Sequence, residues 1–187
     1  MKFIQVISIL LIIITTSCDS SNSETIIAKN RLGLLTPTTQ VNEINTILIN
    51  DSIAEFDLES RLNRVNEIEV FNKEGKVSIV IEPNYQNDSL FTINEIQILD
   101  PKYKTKKGLS VDSNFKTIYE NYKIDNIQNS INSVILSIDE IGAYIVIDKK
   151  HLPSKLKFDS EVKIEANQIP NEAPFKYFWL RFEEPSL

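Results

Sequence analysis

Reactive side chains are scarce in this chain, and the scarcity bounds its chemistry. Cys18 is the one cysteine and His151 the one histidine. A thiol is a better nucleophile than a hydroxyl, and its sulfur can form a thioether that serine could not replace. Zinc would have to take most of its ligands from carboxylates, an unusual set. His151 lies in Lys149-Lys150-His151-Leu152-Pro153, a polar connection where a solvated histidine is expected. No nucleophile-elbow glycine pattern accompanies any serine, and four scattered glycines make no phosphate-cradling loop. Acidic residues sit as Asp139-Glu140, Glu183-Glu184 and the spaced Asp57 and Glu59. Glycoside hydrolysis needs two carboxyl groups held together in a cleft, and turn or terminus charges account for these more simply. Asn84, Asn87 and Asp88 offer oxygen ligands without the spacing of a calcium loop. The expectation is a chain without catalytic residues, metal or cofactor, and not an enzyme.

Two groups of residues suggest recognition instead. Lys102, Lys104, Lys106 and Lys107 form the one basic cluster, interleaved with Tyr103 ahead of Gly108. They could meet an anionic headgroup, a glycan or an acidic partner, or simply balance nearby acids in a solvated loop. In the last expected strand, Phe175, Tyr177 and Trp179 alternate with Phe178, Leu180 and Phe182, so both faces are apolar. A strand covered on both sides is the favoured arrangement. Exposed Tyr177 and Trp179 would instead mark a partner site.

The context of Cys18 points to the cell envelope. Lys2 precedes an apolar run from Phe3 to Ile14, and Thr15-Thr16-Ser17 brings small residues up to the thiol. The run is shorter than the roughly 20 residues that span a bilayer, and reads as a secretory signal. The arrangement resembles the lipobox of bacterial lipoproteins, with Thr15 where the best-known examples carry leucine. That resemblance implies cleavage after residue 17, acylation of Cys18 and a firm anchor, because two or more acyl chains hold where one binds marginally. Residues 18–30 are then the lipidated cysteine and a polar tether, and 31–187 a single domain with halves 31–100 and 101–187. Asp19 and Glu24 faintly resemble an acidic export signal to the cell surface. The expected location is the outer membrane, facing the periplasm.

Size and charge narrow the partners. Without residues 1–17 the chain is still long enough to bury about 70% of its unfolded surface. Loss of Lys2 makes a formal charge of −6 more negative still. An acidic chain is a poor partner for nucleic acid and for flat electrostatic contact with an anionic membrane surface. No internal disulfide can form once Cys18 is acylated, so the core alone must hold the fold.

The chain says one structural thing twice. Gly33-Leu34-Leu35-Thr36 precedes Thr39 and a helical spacing of Val41, Ile44, Ile47 and Leu48; Gly108-Leu109-Ser110-Val111 precedes Ser113 and Phe115, Ile118 and Tyr122. Thr39 and Ser113 are the expected helix caps. Strands are predicted at 52–58, 67–72, 76–82 and 91–99, then at 123–128, 133–138, 143–148 and 175–182. Lys73-Glu74-Gly75 and Asp139-Glu140-Ile141-Gly142 are the matching turns. Ile93, Ile96 and Ile98 slip out of strict alternation, which predicts a β-bulge. The fold class is therefore α+β, an antiparallel sheet with short helices on one face, built from a duplicated glycine–helix–strands unit.

The Thr-Pro-Thr start of the first helix and the stretch "IQILDPKYKTKKGLSVDSNF" resemble the enterobacterial sigma-E-regulated lipoprotein family over most of residues 32–152. That resemblance implies an envelope lipoprotein and brings no catalytic residue with it. The expected function is a membrane-anchored, non-enzymatic binding or scaffold module with an envelope protein or a glycan as partner. The alternative is a periplasmic inhibitor or immunity-like protein that blocks a hydrolase through a protruding 102–107 loop. A glycan-directed hydrolase is a third reading, and would require two close carboxylates.

Overall fold

The computed structural model describes residues 23–53, 67–84, 91–158 and 161–183. Cys18, Asp57, Glu59, Asn87, Asp88 and Glu184 lie outside them. The first half contributes β1 (Ile26–Ala28), β2 (Arg31–Leu32), a 3-10 turn (Val41–Glu43) running into α1 (Ile44–Ile47), then β3 (Ser52–Ile53), β4 (Ile68–Phe71), β5 (Val77–Asn84) and β6 (Thr92–Ile98). The second contributes β7 (Lys104–Thr105), α2 (Phe115–Asn121), β8 (Asn126–Asn129), β9 (Ser133–Ile138), β10 (Ala143–Asp148), α3 (Ser154–Lys157) and β11 (Tyr177–Arg181).

Eight strands form one antiparallel sheet in the order β3-β4-β5-β6-β11-β10-β9-β8. The order is symmetric: each half runs its strands from an edge to the centre. At the centre Gln97 faces Trp179, flanked by Ile98 opposite Phe178 and Ile96 opposite Leu180. Exchanging the halves about Gln97 and Trp179 turns one flanking pair into the other. Local hydrogen bonds repeat as well. The Thr36 amide donates to Thr39 Oγ1 at 3.0 Å, as the Ser110 amide does to Ser113 Oγ at 3.0 Å. The Val41 amide reaches the Phe91 carbonyl at 2.8 Å, and the Phe115 amide the Ala173 carbonyl at 2.9 Å. The duplication legible in the sequence is thus a duplication of structure.

One face of the sheet carries the core. Alternate residues of each strand, among them Ile79, Ile81, Ile96, Ile98, Phe178, Leu180, Ile145 and Leu136, join one cluster with Ile44, Phe115, Ile118 and Leu156 from the helices. All three helices therefore lie on that face. A small sheet β2-β1-β7 covers it too, with Ile27 and Leu32 in the same cluster. This corrects the tether: Ile26–Ala28 belong to the fold. The helix starts differ also. Gln40 and Asn114 are the N-caps, while Thr39 and Ser113 close the turns just before them. Gln40 forms a reciprocal capping box with Glu43. The predicted bulge is present: Glu95 faces Glu82 and Ile93 faces Pro83, so Asn94 has no opposite residue on β5. The extra residue puts Ile93 and Ile96 on the same buried face.

Candidate functional site

The face of the sheet turned away from the helices is where the aromatic residues of β11 emerge. Phe178 and Leu180 are wholly buried in the core, so alternation sends Tyr177, Trp179 and Arg181 to the opposite side. Tyr177 is 41% exposed there. The strand is therefore not covered on both sides, as its apolar sequence suggested, because its position at the sheet centre supplies the burial through neighbouring strands. Phe175 leaves the pattern. It precedes β11 and packs edge-on against Phe178, on the core side.

Neighbouring strands complete this open surface. Trp179 faces Gln97 on β6 and Tyr144 on β10. The Trp179 and Tyr144 rings stack with centroids 5.9 Å apart and planes 5° from parallel. The Arg181 guanidinium lies over the Tyr144 ring, 5.3 Å from its centroid. Glu95 ties the group together: it accepts from the Tyr144 hydroxyl at 2.6 Å and from Arg181 Nε at 2.7 Å. Burial raises the Tyr144 hydroxyl pKa, and the bond to Glu95 raises it further. That phenol stays a donor at any physiological pH. Glu82 stands directly opposite Glu95, and its own carboxyl is raised, first by burial and then by the Glu95 charge. Glu82 and Glu95 make a paired carboxylate, but Glu95 is already committed to Tyr144 and Arg181.

A cleft of about 520 Å³ lies at the β3–β4 end of the molecule, within the size range of small-ligand sites. Ile47, Leu48 and Tyr103 give it apolar walls, and Lys102 crosses to Asp51 at 3.3 Å. Asp100 stands beside them. Burial alone would raise its carboxyl, yet hydrogen bonds from Asn72, the Lys102 amide and Ser78 hold it below the usual range. Burial opposes the Lys102 charge, while Tyr103 and Asp51 together raise its pKa above the ordinary lysine value.

The chain's architecture is similar to a solved one. The crystal structure of the uncharacterized protein YfeY from Escherichia coli matches with a TM-score of 0.52 at 14% sequence identity, covering 84% of this chain and 99% of that one. No protein-family model matches the sequence, and neither does any curated protein. At that identity the likeness to YfeY speaks for the fold alone.

The four lysines of the basic cluster are drawn to different places. Lys102 is in the cleft, whereas Lys107 pairs with Glu140 at 2.6 Å and lies 4.5 Å from the Tyr122 ring centroid. Lys104 sits on β7 and Lys106 in the turn after it, both exposed. His151 ends a 3-10 turn after β10. Among the described residues no group of three or more His, Cys, Asp or Glu could hold a metal ion. Sequence reasoning missed Tyr144, Glu95, Arg181 and Asp51. Tyr144 alternates with buried Ala143 and Ile145, which places it on the open face, but only strand order shows that it meets Trp179.

Proposed function

We propose that this chain is a bacterial envelope lipoprotein, acylated at Cys18, that works as a non-enzymatic binding or scaffold module and receives an envelope protein on the open face of its sheet. The observation that carries the binding surface is the Tyr144–Trp179 stack beside exposed Tyr177 at the sheet centre. Trp, Tyr and Arg supply a disproportionate share of binding energy at interfaces. The clamping of Tyr144 and Arg181 by Glu95 lowers the ordering cost of association. The anchor rests on the Lys2, Phe3–Ile14 and Thr15–Cys18 pattern. The inhibitor reading has less support, since two of the four lysines of its loop are already engaged by Asp51 and Glu140.

A photo-crosslinking side chain at position 177 tests this in the native host, with position 119 as control because Tyr119 is also exposed. The expected result is a discrete adduct from 177 only, lost in the Trp179→Ala background. No adduct at 177, or the same adduct from 119, counts against the open face. Intact mass of the purified protein reports separately on Cys18.

A further inference from the structure

Where the tether joins the fold is fixed by backbone geometry. β1 pairs with β2 on one side and β7 on the other. The Lys104 amide donates to the Thr25 carbonyl at 3.0 Å and the Gly33 amide to the Ile26 carbonyl at 2.8 Å. Gly33 has φ +58°, and a Cβ at that position would overlap the Glu24 carbonyl oxygen. The chain at 24–26 is therefore clamped against the turn that presents the next residue, Leu34.

Leu34 is 50% exposed, an unfavourable state for an aliphatic side chain. Ile49 is 81% exposed, and both line the same cleft as Glu24 and Thr25. Residues 19–23 are all that separate Cys18 from this rim. Even fully extended, that length spans only roughly 20 Å.

We propose that the rim carrying Leu34 and Ile49 is a membrane-contact surface, resting on the bilayer into which the Cys18 acyl chains insert. The inference rests on the anchor reading and names the face that the anchor holds to the lipid. Contact is apolar, not electrostatic: Glu24, Asp51, Glu74 and Asp100 around the cleft outnumber Lys73 and Lys102, and Lys102 is paired with Asp51. Two aliphatic side chains make only a weak contact. A short tether makes it sufficient, because it keeps the rim at an effective concentration on the order of millimolar near the surface.

The test uses the full lipidated protein in vesicles of phosphatidylethanolamine and phosphatidylglycerol. With the Cys18 sulfur consumed as a thioether, a cysteine introduced by Leu34→Cys or Ile49→Cys is the only free thiol and takes an environment-sensitive fluorophore. Ile131→Cys is the control, since Ile131 is exposed in the β8–β9 turn at the other end of the sheet. Labels at 34 and 49 are expected to shift to the blue and to be quenched severalfold by a lipid-borne quencher, in high salt as in low, while the label at 131 is not. Equal quenching at all three positions, or none at 34 and 49 with Cys18 lipidated, overturns the proposal and leaves the anchor standing. Quenching abolished by salt overturns it in favour of charge attraction, and protection only on adding envelope extract overturns it in favour of a protein partner. Labelling of Cys18 in the unsubstituted protein removes the anchor and the proposal together.

Discussion

Gly33 and Gly75 both take positive φ, +58° and +74°, but only Gly33 has backbone against its open side. Gly75 has nothing within 4 Å of where a Cβ would be. Gly75→Ala should thus pay only for the left-handed backbone, about 1 kcal/mol. Gly33→Ala should add displacement of the Glu24 strand, for a total of about 2–4 kcal/mol. Urea denaturation of residues 19–187 measures both; equal losses would mean that the Glu24 contact gives way freely. Glu82 offers a pH test. Its folded-state carboxyl is raised above the ordinary 4.5, so its contribution to stability is fully present below that value and is lost as pH rises through the raised one. Glu82→Gln should therefore be the more stable protein at neutral pH. The two proteins should converge in acid. A thermal unfolding series across that range shows it, and a gap that widens in acid would reverse the sign.

Among the elements, β9 and β10 were legible residue for residue, because six-residue apolar stretches bounded by turns admit one reading. β1, β2, β7 and α3 were not, since two to four residues carry no period. They exist through what they pack against. The bulge in β6 was legible as a fault in alternation, although locating its partner strand required the fold. β11 marks the limit. Its sequence shows two apolar faces and cannot say which one strand order leaves open. Substitution separates them. Phe178 is wholly buried at the sheet centre, so Phe178→Ala should cost about 3–5 kcal/mol. Trp179, partly buried against Tyr144, should cost clearly less when replaced by alanine while weakening partner capture more. Denaturation midpoints beside crosslinking yield at 177 measure both quantities. A Trp179→Ala loss as large as that of Phe178→Ala would make the stack a second core, not a binding surface.

At the scale of the molecule, the duplicated unit explains how the described residues, with their short helices, hold together without a disulfide. Each half presents a strand with one open edge, β6 or β11, whose inner face is aliphatic and aromatic. Their pairing across Gln97 and Trp179 closes one eight-stranded sheet over one core. The β1–β7 pairing crosses between halves as well, since Ile26 and Ile27 lie beside Lys104 and Thr105. Ile96 and Ile98 lie beside Leu180 and Phe178 across the seam, so separating the halves would expose apolar side chains of both. The covalent link at 100–101 is then a convenience, not a requirement. Fragments 19–100 and 101–187 should fail to fold separately and should co-purify as a one-to-one complex when expressed together, with the circular dichroism of the intact chain. Leu180→Asp in the second fragment should abolish that assembly, because it buries an unpaired carboxylate at the seam. A stable, monomeric 101–187 with native strand content would instead make the halves two domains that merely touch, and the pseudo-symmetry of the sheet would then be a relic with no part in its stability.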